Sequence, residues 1–157
     1  MTERRAQSRR REDHERDRLF TLSLDLLCVC SYEGYFTQLN PAFERVLGYP
    51  AAVLKAKPLV EFVVPDDRER TAAEFQKVVS GGLAVSFENR WLHQDGSYRW
   101  LQWNGIADTE HRVVYATARD VTERKHAEAE LSRLAALADV ARDEGGAADL
   151  THRVADR

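Results

Sequence analysis

Charged residues are crowded at both ends of this chain, and no other feature constrains its fold as strongly. Residues 1–18 carry 12 of them and residues 122–157 carry 14, whereas residues 19–121 carry only 23. All 14 aromatic residues and both cysteines lie in that middle stretch. Because a segment of roughly 100 residues can bury its own hydrophobic core, we expect residues 19–121 to form the folded domain and the two ends to be extensions.

The overall composition excludes several classes of protein. A net charge of −3 argues against a strongly basic nucleic-acid binder. The apolar run at residues 26–30 is as long as any in the chain and far shorter than the ~20 residues of a membrane span, and the N-terminus lacks the apolar segment of a secretory signal. Cys28 and Cys30 lie inside that run, where reduced cysteines are usual, so we expect a cytoplasmic protein with no membrane span.

The first half of the chain predicts a helix, a β-hairpin and further helices. The apolar runs at residues 26–30 and 35–39 are typical of two short strands. Residues that favour helix ends follow them. The predicted starts are Asn40 as an N-cap and Asp66 in a capping pattern with Glu69, and the predicted stops are Gly48 and the pair Gly81 and Gly82.

The second half predicts three strands and a long helix. Asp95 and Gly96 are the strongest hairpin signal in the sequence, between strands at residues 84–93 and 97–107. A third strand covers residues 112–121, and Thr122 starts a helix that Gly145 and Gly146 are expected to close. Apolar residues spaced four and three apart form a heptad seam on this helix, namely Ala127, Leu131, Leu134, Ala138 and Ala141.

This order of elements predicts an α+β domain with a five-stranded antiparallel sheet and helices on one face. An N-terminal helix and a C-terminal helix flank the sheet. The predicted segments are a charged N-terminal extension at 1–18, a core at 19–121, a coiled C-terminal helix at 122–142, and a linker or the start of a further domain at 143–157.

Four motifs, in order and at matching spacings, resemble the PAS sensory domain over about residues 16–130. They are GYFTQLNPAFERVLGY at 34–49, VVPDDRER at 63–70, FENRWLHQDGSYRWLQW at 87–103 and ARDVTERKHAEAEL at 118–131. The last is similar to the PAC-type junction that joins a PAS core to its output helix. The resemblance implies the input domain of a bacterial signalling protein whose output domain, such as a histidine kinase or a cyclic-dinucleotide enzyme, is not part of this chain. We therefore expect no catalytic activity of its own.

A two-residue Asp-Gly turn would pair Asn89 with Gln102 and Trp91 with Trp100. The next hairpin would then place Gln102 opposite Ala118, and one sheet face would carry polar groups beside small residues. That combination could leave a pocket with a few convergent polar groups. Alternatively, the core is filled, and Asn89 and Gln102 bond each other or water. The pocket candidates are Asn89, Trp91, Gln102, Ala116, Ala118, Phe75 and Phe62.

The same register places Trp100 opposite Asp120, so the indole N–H could donate to the carboxylate and tie the sheet to the helix that Thr122 starts. Alternatively, Asp120 is solvated and caps that helix. Leu92, Leu101, Trp103 and Tyr115 fall on the other, more polar face, which a second subunit or the N-terminal helix could cover.

The cofactor chemistry of related domains is largely missing from the sequence. Covalent flavin photosensors of this fold use a Cys in a helix, and haem-binding relatives use a His on the helix before the central strands. Neither is present at the matching positions, so both cofactors are disfavoured and the cofactor is left open. Two cysteines without CxxC or His spacing also argue against a metal site.

The leading hypothesis is a signal-sensing and dimerisation module that passes the state of its core to the C-terminal helix. The expected partners are a second copy, an output domain in the parent protein and a small-molecule ligand. No nucleic-acid partner is expected, because four acids follow the N-terminal arginines within seven residues. The alternative is a ligand-free scaffold for protein–protein interaction.

Overall fold

A computed structural model describes the backbone of residues 2–154 and the side chains of residues 2–146. The chain divides into two compact units, one ending at Val121 and the other beginning at Thr122. The helices are α1 (Thr2–Leu22), α2 (Ala42–Leu47), α3 (Ala51–Lys55), α4 (Arg68–Val79) and α5 (Thr122–Val154), with 3-10 turns at Leu59–Phe62 and Pro65–Asp67. The strands are β1 (Leu26–Ser31), β2 (Phe36–Leu39), β3 (Leu83–Leu92), β4 (Tyr98–Asp108) and β5 (Val113–Asp120).

The five strands form one antiparallel sheet, as predicted, and their order in the sheet is β2-β1-β5-β4-β3. Alternate residues of β1 are buried, so one face of the strand packs into the core. The core fills the space between this sheet face and the helices α2, α3 and α4. Its largest fully buried side chains include Trp91, Phe43, Leu47 and Leu101.

Asn40 was predicted to cap α2, and the structure gives it a different role. The N-cap position is Pro41, with no side-chain bond. The buried Asn40 amide accepts the Leu27 N–H at 3.0 Å and donates to the carbonyls of Phe20 and Asp25 at 3.2 and 2.9 Å. The amide satisfies three backbone groups here, whereas an N-cap side chain satisfies one. Asn40 therefore ties the end of α1 to the start of β1.

The predicted two-residue turn between β3 and β4 is wrong. The His93 N–H bonds the Ser97 carbonyl at 2.7 Å, so three residues form the loop and Gly96 adopts a left-handed conformation at φ +91°. Hairpins of this length commonly place glycine at that position. The loop shifts the pairing by one residue, so that Asn89 lies opposite Leu101.

The β4–β5 pairing is also shifted by one residue, so that Trp103 lies opposite Ala118. A one-residue shift moves every side chain of a strand to the other face of the sheet. Leu101 and Trp103, predicted on the outer face, therefore lie in the core, whereas Ile106 is exposed. The two shifts cancel for β5, and Val114 and Ala118 are buried as predicted.

Both terminal helices are long. Helix α1 starts at Thr2, and ion pairs one turn apart, such as Arg11–Glu15 at 3.2 Å, support its charged first part. Helix α5 runs through Gly145 and Gly146 to Val154 instead of closing there. Neither glycine adopts a positive φ, and a helical glycine costs only about 1 kcal/mol, so the helix continues. No helix within residues 2–154 is both long and apolar enough to cross a membrane.

Candidate functional site

A cavity of about 70 Å³ lies between α4 and the core face of the sheet. Its wall is almost entirely apolar and comes from α4 and all five strands. The main lining side chains are Cys30, Phe36, Phe75, Trp91, Trp103 and Ala116. Its lining also includes the partly exposed Glu74 of α4 and the exposed Asn104 of β4. A space of this size can hold a small molecule or a few waters.

Asn89 is the centre of a buried hydrogen-bond network at the wall of the cavity. Its Oδ1 accepts the indole N–H groups of Trp91 and Trp103 at 2.8 and 3.0 Å, and its Nδ2 donates to Thr71 Oγ1 at 3.0 Å. Because an indole N–H can only donate, the two tryptophans fix which end of the amide is oxygen. The Thr71 hydroxyl donates to the Asp67 carbonyl at 2.7 Å. The polar groups of this network are therefore satisfied by the protein itself.

Asp67 and Arg90 lie next to this network and connect α4 to β3. The Asp67 carboxylate accepts Arg90 Nε and Nη2 at 3.0 and 2.8 Å, as well as the Arg90 backbone N–H at 2.8 Å. The Arg90 guanidinium beside Asp67 lowers the pKa of this carboxyl. The other side of the guanidinium packs on the rings of Trp100 and Tyr98. The predicted Asp66–Glu69 capping pattern is wrong here, because α4 starts at Arg68 without a side-chain cap.

The structure brings together four of the seven predicted pocket residues. Asn89, Trp91, Ala116 and Phe75 line the cavity. Ala118 and Phe62 are buried in the core away from its lining. Gln102 lies on the opposite sheet face because of the register shift, so the predicted contact between Asn89 and Gln102 is wrong.

Sequence reasoning missed Trp103 and Thr71 as members of the site. Trp103 was assigned to the outer face by the shifted register. Thr71 precedes Phe75 by four residues and Val78 by seven, so helical spacing places it on the same face of α4. That spacing was the signal that could have found it.

The residues predicted to connect the sheet to α5 are Trp100, Asp120 and Thr122, and the structure pairs Asp120 with a different residue than predicted. Leu101, not Trp100, lies opposite Asp120, and the bond predicted between the indole and the Asp120 carboxylate rested on the wrong pairing. Asp120 forms an ion pair with Arg99 at 3.6 Å, and the Trp100 carbonyl accepts the Val121 N–H at 2.9 Å. Thr122 starts α5, as predicted, and is buried.

Helix α5 exposes a stripe of apolar side chains. Leu131 and Leu134 of the predicted seam are 68% and 50% exposed, and Leu137, one turn after Leu134, is 54% exposed. Ala127 and Ala138 are also exposed. These side chains form a continuous seam that a second helix could cover.

Cys28 and Cys30 are both free thiols buried on β1, with their sulfurs 3.9 Å apart. The hydrogen bond to the Cys30 thiol, together with burial, raises the pKa of the Cys28 thiol well above its usual value. Within the described part of the chain, no three His, Cys, Asp or Glu side chains are grouped so that they could hold a metal ion.

A sensor histidine kinase, TmoS of Ectopseudomonas mendocina, is 27% identical over 107 residues, which are 65% of this chain. The chain spans only about a tenth of that protein, because the match covers 11% of its length.

Two solved structures show the same fold. A domain of a sensory box sensor histidine kinase/response regulator from Geobacter sulfurreducens has a TM-score of 0.62 at 19% identity, over 69% of this chain and 94% of its own. The N-terminal domain of a diguanylate cyclase with a PAS/PAC sensor from Marinobacter aquaeolei has a TM-score of 0.57 at 18% identity, over 65% of this chain and 99% of its own.

The family model described as PAS fold matches residues 36–118, which are more than half of the chain. These residues contain β2 to β5, most of the cavity wall and the Asn89 network. The chain therefore belongs to the PAS family.

Proposed function

We propose that this chain is the sensory input module of a longer cytoplasmic signalling protein, and that the cavity between α4 and the sheet is its sensing site. The observation that carries this proposal is the combination of an apolar wall with a closed polar network. Asn89 and Thr71 bond groups of the protein, so a ligand in the cavity would find few hydrogen-bonding partners. The site then favours a small neutral apolar ligand over a carboxylate or a sugar, because an unpaired polar group is costly to bury.

We propose the kind of output domain in the parent protein from the enzymes in which similar domains are found. A sensor histidine kinase and a diguanylate cyclase both carry domains similar to this one. We expect one of these two kinds of enzyme to follow α5 in the parent protein, and we expect no catalysis by the chain itself.

Homodimerisation through α5 is the second part of the proposal. The exposed seam of Leu131 and Leu134 supports it, because large apolar side chains on one helix face usually mark a contact. Three of the five seam positions are alanine, so the helix pair should be marginally stable. Because its free energy of association is small, a change in the sensor core can shift the helix pair between the paired and unpaired states, as a switch requires.

The test is to purify the full chain natively and identify released small molecules by mass spectrometry, followed by thermal shifts with small hydrocarbons and with carboxylates of equal size. We expect the hydrocarbons to raise the melting temperature in a concentration-dependent manner and the carboxylates to leave it unchanged. A preference for carboxylates would contradict the proposed ligand class.

A ligand-free scaffold is the second candidate function. It is favoured by the same network, because the Asn89 amide and both indole N–H groups need no ligand to satisfy them. An empty protein after native purification, with no thermal shift from any small molecule, would support the scaffold instead.

A further inference from the structure

The outer face of the sheet carries an apolar groove that the proposed sensing site does not use. The groove has a volume of about 570 Å³, and no charged residue is part of its lining. It contains a row of apolar residues that lie opposite one another on four strands, namely Val29, Tyr115, Ile106 and Leu83. Tyr115, Ile106 and Leu83 are each about half exposed. Apolar side chains grouped in this way on a surface usually mark a contact.

The end of α1 forms one side of this groove. Phe20 lines the groove, and every other residue of α1 is exposed. The Asn40 amide donates to the Phe20 carbonyl at 3.2 Å, which fixes this end of the helix beside the sheet. Leu19 and Leu22 are 74% and 66% exposed. At about 100° per residue they lie about 100° and 160° around the helix from Phe20, so they point away from the groove of their own chain.

The segment at residues 19–24 matches the groove in chemistry. Its sequence is LFTLSL, and like the groove it contains no charged residue. Leu24 is exposed, as Leu19 and Leu22 are. Outside the groove and α5, the other exposed large apolar residues of the described chain are scattered singly, namely Tyr35, Val53 and Tyr98. A charged segment would lose its water in the groove without gaining a partner, so the uncharged segment is favoured.

We propose that residues 19–24 of a second copy of this chain dock in the groove, in a dimer with two-fold symmetry. Each copy carries one groove and one such segment, so a two-fold arrangement covers both of them in a single interface. This proposal rests on the homodimer proposed above and gives it a contact in addition to the α5 seam. Because the same two copies make both contacts, each contact raises the effective concentration at the other, and the loss of either should weaken the dimer.

Charge substitutions on the two sides of the contact test it in the full chain by sedimentation equilibrium. Ile106→Lys and Leu22→Glu should each raise the dissociation constant of the dimer about 10-fold or more, because each places a charge in the apolar contact. Both residues are more than half exposed in the single chain, so both variants should fold, which circular dichroism checks. If Ile106→Lys unfolds, Leu83→Lys on the edge strand β3 replaces it. Val53→Lys is the matched control and should leave the constant unchanged, since Val53 is an exposed apolar residue of α3 outside the groove.

An equal mixture of the Ile106→Lys and Leu22→Glu chains tests whether the two residues meet. A mixed dimer has one native contact and one contact between the new Glu and Lys side chains, whereas each variant paired with itself has two disrupted contacts. Native mass spectrometry should therefore find mixed dimers in excess of the half expected from random pairing. Random pairing would overturn the proposal.

The same measurements separate this contact from the α5 pair. Unchanged dissociation constants in both single variants, together with loss of the dimer in Leu131→Asp combined with Leu134→Asp, would overturn the groove contact and leave the α5 pair in place. A wild-type chain that is monomeric at all concentrations would overturn both contacts.

Discussion

The carboxylate of Asp67 and the guanidinium of Arg90 face each other in two parallel hydrogen bonds, of 3.0 and 2.8 Å, between the start of α4 and strand β3. The side chains are 7% and 26% exposed, so water competes weakly for the pair. Two parallel bonds between charged groups are stronger and more directional than a single contact. The pair therefore fixes α4, which forms one wall of the cavity, against the sheet.

Asp67→Asn should destabilise the fold by about 2–3 kcal/mol, because it leaves a largely buried arginine without its counter-charge. The measurement is urea unfolding followed by tryptophan fluorescence. Asp66→Asn is the matched control, since Asp66 is the exposed neighbour on the same turn. Equal, small effects of both substitutions would show that the pair contributes little.

The contribution of Asp67 should depend on pH in a defined direction. Its folded-state pKa is lowered by Arg90, so its contribution is fully present above the ordinary aspartate pKa of about 3.9. That contribution is lost as the pH falls from there through the lower folded-state pKa. The stability difference between wild type and Asp67→Asn should therefore be constant from pH 7 to 5 and shrink below pH 4. If the stability difference between wild type and Asp67→Asn instead grows as the pH falls, the pKa of Asp67 is not lowered in the folded state.

Asn89→Ala should cost about 3 kcal/mol or more, because it leaves the indole N–H groups of Trp91 and Trp103 buried without an acceptor. Gln102→Ala, on the opposite sheet face, should change the free energy of unfolding by less than about 0.5 kcal/mol. The comparison uses urea unfolding of both variants. A larger loss from Gln102→Ala than from Asn89→Ala would favour the register in which the two amides meet.

The Asn89 network also shows where sequence reasoning succeeds and fails in this fold. The order of the elements along the chain, the hairpin pairings and the inward faces of β3 and β5 follow from the hydrophobic pattern and the turn residues. The orientation of β4 depends on whether the loop around Asp95 and Gly96 has two residues or three, and both lengths use an Asp-Gly sequence. That single residue decides whether Trp103 or Gln102 contacts Asn89. Local pattern cannot decide it, because β4 carries large apolar residues on both faces, including Trp100 and Leu101.

The hydrogen-bond partners of Asn40 and Asp67 could not be predicted from the sequence for a related reason. Asn40 was the expected cap of α2, and Asp67 directly follows Asp66, the expected cap of α4. Each instead bonds groups distant in the chain, Asn40 to the end of α1 and Asp67 to β3. Such partners are known only after the elements are packed together.

Ala116→Leu should fill part of the cavity and abolish the thermal shift produced by a small apolar ligand, because Ala116 lines the cavity. Thr117→Leu is the matched control, since Thr117 is the adjacent, exposed residue of β5 and points to the opposite face. The control should keep the ligand-induced shift. If Ala116→Leu keeps an undiminished shift while remaining folded by circular dichroism, the ligand binds elsewhere.

Leu131→Asp combined with Leu134→Asp should convert a dimer of the full chain into a monomer, because two charges would be placed in the proposed helix seam. Both leucines are at least half exposed in the single chain, so the substitutions should leave the sensor core folded. Sedimentation equilibrium measures the change in mass, and circular dichroism checks the helix content. Ala129→Asp is the control, because a spacing of about 100° per residue places it on the opposite side of α5. A wild-type chain that sediments as a monomer at all concentrations, or a double variant that remains dimeric, would remove α5 as the dimer contact.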